Sequence, residues 1–119
     1  MPERFNTQFW TKLDALVKDS SIVIDRPKDS QHPQWEDIIY PLDYGYLAGT
    51  TSSDGAGIDL WRGASGDTTV NGIICTVDLL KKDSEIKVLL GCTADEMITI
   101  VDFLNSNGMG CFLVQREEN

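Results

Sequence analysis

Apolar residues return along this chain in two rhythms. Over residues 4–18, Phe5, Phe9, Leu13, Leu16 and Val17 recur at near-helical spacing, and Asn6 or Thr7 stands ready to cap the start. That pattern predicts an amphipathic helix packed on the body of the domain. Ile22 to Ile24 then reads as a short strand that stops at Arg26-Pro27, because proline has no N–H to give a ladder. Residues 27–37 are polar and hold Pro27 and Pro33, the composition of a loop. Ile38 to Leu47 is β-like, with one break at Pro41, and the small polar residues 49–57 form a second loop. Ile58 to Trp61, Val70 to Val77 and Glu85 to Leu90 read as strands, the last two joined by the charged turn Lys81-Lys82-Asp83-Ser84.

The helical rhythm returns at Thr93. Thr93 is a good N-cap, Glu96 three residues later completes a capping box, and Met97, Ile98, Val101, Phe103 and Leu104 supply an apolar face. Asn105 to Gly110 ends that helix, and Cys111 to Val114 is a last strand. Helix, about five strands, helix, strand is an α+β order, with a small curled sheet or barrel between the helices. The 119 residues suit one domain, 1–119, with no repeat or linker.

Composition narrows the function. Nineteen acidic and ten basic residues give a net charge of −9, which argues against nucleic-acid backbones and anionic membranes as partners. No apolar run nears the roughly 18 residues of a membrane span, and the first residues lack a signal pattern. These features predict a cytoplasmic protein. Cys75, Cys92 and Cys111 are odd in number and not spaced as zinc ligands, so they read as reduced thiols in the packing. Trp10, Trp35 and Trp61 read as packing residues too, and His32, the sole histidine, receives no catalytic role.

The candidate chemistry lies in carboxylates at strand ends. Asp54 and Asp59 bracket Gly-Ala-Gly-Ile, and Asp78 and Asp83 bracket the turn Leu-Leu-Lys-Lys. Hard divalent cations want such oxygens, and Mg²⁺ takes one or two carboxylates plus water and phosphate oxygens. Two carboxylates about 5 Å apart repel by roughly 3 kcal/mol at an effective dielectric of about 20, so a cluster of four calls for cations. The competing reading makes each Asp a turn residue. Arg26, Lys28 and Lys87 suit phosphate, with surface charge as the competing reading for each alone, and Tyr44 and Tyr46 share one strand face by period two, where packing is the default.

Tyr40-Pro41-Leu42-Asp43-Tyr44-Gly45-Tyr46, followed by Asp54-Gly55-Ala56-Gly57-Ile58-Asp59, resembles the signature of the soluble Mg²⁺-dependent inorganic pyrophosphatases. That family carries Tyr-Pro-x-x-Tyr-Gly-Tyr/Phe and then Asp-Gly-Asp-x-x-Asp. The similarity runs from about Ile22 to Leu90. It implies an OB-like five-stranded barrel with flanking helices, and hydrolysis of pyrophosphate, or a related phosphate compound, with Mg²⁺ or Mn²⁺. By this resemblance Asp54, Asp59, Asp78 and Asp83 fall on metal-ligand positions, with Glu85 competing for the place of Asp83. Tyr44 and Asp59 fall on catalytic positions. Arg26, Lys28, Lys87 and Tyr44 would meet the substrate, and Asp25 matches an acidic residue of the first strand. The chain departs from the pattern at Ala56, where the family has a metal-bridging Asp, and residues 105–119 contain neither Tyr nor Lys. The alternative is therefore a weak or inactive module of the same shape that binds metal, phosphate or a protein. A homo-oligomer is compatible with either.

Overall fold

The structure is a computed structural model that describes residues 2–52 and 55–117, the first four of them by backbone alone. Two helices and six strands follow in the order α1 (Pro2–Lys18), β1 (Ser21–Arg26), β2 (Asp43–Ala48), β3 (Ile58–Arg62), β4 (Val70–Asp78), β5 (Asp83–Leu90), α2 (Ala94–Ser106) and β6 (Gly110–Gln115). The strands make one mixed sheet in the spatial order β1-β2-β3-β5-β4-β6. Only β3 and β5 run parallel; every other neighbouring pair is antiparallel.

The α+β class and the sequence of elements match expectation. The five-stranded barrel does not. β6 adds a sixth strand against β4, and no pairing joins β6 to β1 among the described residues, so the sheet stays open. The predicted strand from Ile38 is also too long. Before Asp43 the chain makes a separate excursion, pinned by an isolated bridge between Gln31 and Ile39.

Alternation along the strands splits the core in two. One face carries Tyr40, Leu42, Trp61, Ile74, Leu89 and Cys92 against Met97, Ile100 and Leu104 of α2. The other carries Leu47, Leu60, Val70, Ile73, Val88 and Leu90 against Leu13 and Val17 of α1. α2 starts as its sequence predicts. Glu96 N–H donates to Thr93 Oγ1 at 3.1 Å, and Thr93 N–H donates to Glu96 Oε1 at 2.8 Å. The other oxygen of Glu96 accepts Ala64 N–H at 2.9 Å, which ties the helix start to the chain leaving β3.

α1 presents a different stripe from the expected one. Trp10, Leu13 and Val17 pack inward, whereas Phe9 and Leu16 are exposed; the side chain of Phe5 lies outside the described residues. The helix is turned by the bidentate pair of Arg116 with Asp14, at 2.7 and 2.9 Å, and by the Arg116 guanidinium over the Trp10 ring. Among the described residues no helix is long and apolar enough to cross a membrane. Cys92 is buried and Cys75 and Cys111 are half-buried, all three free thiols. Burial and Glu96 push the Cys92 thiol up to about 12, which leaves it protonated and inert at neutral pH.

One glycine fixes the approach of β1 to β2. A Cβ at Gly45 would sit 1.8 Å from the carbonyl oxygen of Val23 and 2.9 Å from the Cα of Ile24, both backbone atoms that cannot step aside. Gly45→Ala is therefore expected to destabilise the protein by about 3 kcal/mol or more. Urea unfolding of both proteins, followed by tryptophan fluorescence, checks this; a loss under about 1 kcal/mol would show that β1 can move away freely.

Candidate functional site

The central side chain of the site is Lys87. Period two along β5 points Val88 and Leu90 to the α1 face, and Leu89 and Lys87 to the α2 face. Lys87 is only 2% exposed. Its ammonium donates to Asp59 Oδ2 at 3.0 Å, to the Tyr44 hydroxyl at 3.0 Å and to Glu85 Oε2 at 3.4 Å. Three donors meet three acceptors, so the buried charge is fully matched. Burial alone would lower the lysine pKa, but Tyr44 and Asp59 outweigh it and the net shift is upward. Burial raises the Tyr44 phenol, which Lys87 opposes and Asp59 reinforces. At neutral pH Lys87 is an ammonium and Tyr44 a neutral phenol.

The sheet register assembles this group. Tyr44 lies opposite Trp61, and Tyr46 opposite Asp59, on the β2–β3 pair. On the far side, Lys87 faces Ile74 and Glu85 faces Thr76. The first strand adds Arg26 by means of a bulge. Val23 pairs with Tyr46 and Ile24 with Gly45, so regular pairing would set Asp25 opposite Tyr44. A register shift between Ile24 and Arg26 puts Arg26 there instead. The exchange replaces a carboxylate by a cation. The Arg26 guanidinium donates to the Tyr40 hydroxyl and lies 5.5 Å from the centroid of the Tyr40 ring and 5.9 Å from that of Tyr44.

Other expected residues fall elsewhere. Lys28 gives its backbone N–H to Asp43 Oδ1 at 2.9 Å, and its charge acts on Asp43 and Glu96. Asp43 also accepts from Arg62 at 2.9 Å, so these side chains form a second charged group at the strand ends. Asp78 and Asp83 face each other across the mouth of the β4–β5 hairpin. Asp78 Oδ1 accepts the N–H groups of Leu80 and Lys81 at 3.0 and 3.2 Å, the work of a turn residue. At about 3.3 Å per residue, Asp83 lies roughly 13 Å along β5 from Lys87, whereas Glu85 touches it. Of those two acids, Glu85 belongs to the Lys87 group. The sequence undervalued Glu85, although its i, i+2 relation to Lys87 already set both on one strand face.

Asp54 lies outside the described residues. Among the described residues no three His, Cys, Asp or Glu side chains gather as a metal-holding group. The expected convergence of Asp59, Asp78 and Asp83 is thus absent, because strand spacing holds the hairpin mouth away from Asp59. The oxygens around Lys87 are those of two carboxylates, Asp59 and Glu85, and of the Tyr44 hydroxyl. Such a set fits a hard cation held in the manner usual for Mg²⁺, by one or two carboxylates with water and phosphate completing the shell.

No family model matches the chain, and no curated protein matches it in sequence. Among solved structures it is similar to an inorganic phosphatase from Anaplasma phagocytophilum, with a TM-score of 0.55 and 17% identity over 79% of this chain and 81% of that one. At that identity the likeness extends to the fold.

The charged group at Asp43 generates a pH prediction. The Lys28 N–H, and then Arg62, hold the Asp43 carboxyl below its ordinary 3.8, against burial. A depressed carboxylate stabilises the fold above its unfolded pKa and loses that contribution as pH falls through the folded one. Asp43→Asn should cost about 2 kcal/mol at pH 7, and the gap between the two proteins should narrow as pH falls below the ordinary 3.8. Urea midpoints measured from pH 7 to pH 2 check this, and a gap independent of pH would contradict it.

Proposed function

We propose that the chain binds a phosphoanhydride, with inorganic pyrophosphate as the simplest case, and hydrolyses it with Mg²⁺. The observation that carries the reading is the buried Lys87 ammonium set among Asp59, Glu85 and Tyr44, with Arg26 turned onto the same face. The fold shared with an inorganic phosphatase supports it, as does the resemblance of the tyrosine and acidic blocks to pyrophosphatases.

In this reading Arg26 receives the phosphoryl oxygens through its planar fork, while Lys87, whose three protons go to Asp59, Tyr44 and Glu85, contributes its charge from beneath. Tyr44 accepts from Lys87 and positions it. Asp59 would hold the ion together with Glu85, and Asp54 adds a carboxylate five residues before Asp59 in sequence. When bound, Mg²⁺ supplies a water of lowered pKa and charge neutralisation. Lys28, Asp78 and Asp83 are assigned a supporting part, in local charge and in the hairpin turn. No side-chain nucleophile is needed, since water is the attacking group.

A second reading has a specific basis. Ala56 stands where the family has a bridging carboxylate, and Asp78 is already engaged by its turn. Both features favour a module that binds phosphate compounds and hydrolyses them slowly.

Phosphate release from pyrophosphate, followed with Mg²⁺, Mn²⁺ and EDTA, tests the proposal. Release with metal and none with EDTA is expected, and Lys87→Met should lower the rate by about 100-fold, roughly 2.7 kcal/mol of transition-state stabilisation. Ala56→Asp should raise it by at least about tenfold, which asks about 1.4 kcal/mol. Binding of pyrophosphate without turnover in either protein would favour the second reading. Neither binding nor turnover would sink both.

A further inference from the structure

The excursion between β1 and β2 ends in an aromatic surface that the hydrolytic reading leaves unused. Its two arms are short but well tied: Asp29 N–H donates to Tyr40 O at 2.8 Å, Tyr40 N–H to Ser30 O at 3.0 Å, and His32 N–H to Ile38 O at 2.8 Å. At the outer end Trp35 is 53% exposed, although a tryptophan was expected to pack. Its ring centroid lies 4.7 Å from that of His32. His32 stacks on Tyr40 at 6.1 Å and 11° between planes, and Tyr40 stacks on Tyr44 at 5.5 Å and 24°. A ladder of rings therefore runs from an open tryptophan to the tyrosine that touches Lys87. Arg26 lies along its inner half, over Tyr40 and Tyr44.

We infer that the phosphate compound taken by this site carries a nucleobase, and that the base stacks on the exposed Trp35, whose ring is tilted 44° to that of His32, while its diphosphate reaches Arg26. The inference rests on the phosphate site described above and names the substrate class it prefers to bare pyrophosphate: a nucleoside diphosphate or a larger phosphoanhydride ester.

The chemistry at the two ends sets the direction. Arg26 supplies charge for phosphate. At the outer end the exposed Glu36 and Asp37 follow Trp35 in sequence, a setting that repels a bare phosphate and tolerates a neutral base. Aromatic faces bind bases by stacking whatever their edges carry. Gln34 N–H donates to His32 Nδ1 at 3.0 Å, so the neutral ring carries its proton on Nε2. Burial, with Arg26 and Lys81 nearby, keeps that imidazole below its ordinary 6.5. The platform is therefore uncharged at neutral pH. The loop's backbone bonds hold Ser30, His32 and Tyr40 in place without a ligand, so little ordering opposes binding.

A matched pair of unreactive probes isolates the base. Calorimetry with the full chain in Mg²⁺ would compare α,β-methylene-ADP with methylenediphosphonate, which differ by the nucleoside. The nucleotide should bind at least about tenfold tighter, about 1.4 kcal/mol. Trp35→Ala, with its fold checked by circular dichroism, should bring the ratio close to one. Trp35→Phe, which keeps a ring, should retain most of it. Equal binding by the natural chain overturns the inference while leaving the phosphate site intact, and so does a ratio that survives Trp35→Ala. Failure of both probes to bind overturns the phosphate site as well.

Discussion

An ammonium buried in the middle of a sheet face is the constraint to which the neighbouring residues answer. Moving a lysine charge out of water costs several kcal/mol even after relaxation. Lys87 remains charged because Asp59, Tyr44 and Glu85 meet its three protons on three sides. These acceptors come from three strands: β2, β3 and β5. The interaction therefore fixes the relative register of the middle of the sheet. A shift of one residue in β3 would bring Leu60 to the ammonium in place of Asp59 and leave the charge without its carboxylate. The lysine adds little net stability compared with an apolar residue of its size, but it discriminates strongly against wrong pairings.

The edge strand answers to the same group through backbone contact. Gly45 lets Val23 and Ile24 lie directly over β2, and immediately beyond that contact the register shifts by one. The bulge converts Ile-Asp-Arg from a strand that would offer a carboxylate to Tyr44 into one that offers a guanidinium. A third carboxylate here would have made the surroundings of Asp59 and Glu85 strongly repulsive. The Tyr-Gly-Tyr block of the sequence thus combines two side chains on one face with the small residue that brings the cation over them.

Local signals were legible in the sequence, and those set by tertiary register were not. Thr93 and Glu96 announced the start of α2 because a capping box is complete within four residues. The strands from Ile58, Val70 and Glu85 were visible from composition and alternation. Their pairing was not, so equal spacing made Asp78 and Asp83 look equivalent to Asp59. In space they stand at a hairpin mouth, where Asp78 serves its turn, while Glu85 takes the place beside Lys87. The stripe of α1 was misplaced by about one residue, since Phe9 and Trp10 are both apolar and only the distant Arg116 selects between them. Trp35 was read as packing on residue type alone, and its exposure depends on a loop whose backbone bonds no sequence pattern displayed.

Charge at the site bears on what Ala56 means. Lys87 and Arg26 bring two positive charges, and Asp59 and Glu85 two negative ones. The described group is thus balanced, and a polyanion approaching it gains little from long-range attraction. Under the proposed function each further carboxylate would improve the site for Mg²⁺ and worsen it for phosphate until the ion is bound. An Asp at position 56 would shift the set toward metal first and substrate second. Under the proposed function Ala56 would shift it the other way, with fewer ions held and less repulsion of phosphate. At lower metal loading the binding energy must come from elsewhere in the ligand, and stacking is a source that does not depend on charge. If both proposals hold, Ala56 and the exposed Trp35 fit one design, in which anchoring of the ligand's uncharged part compensates for weaker anchoring of its phosphates.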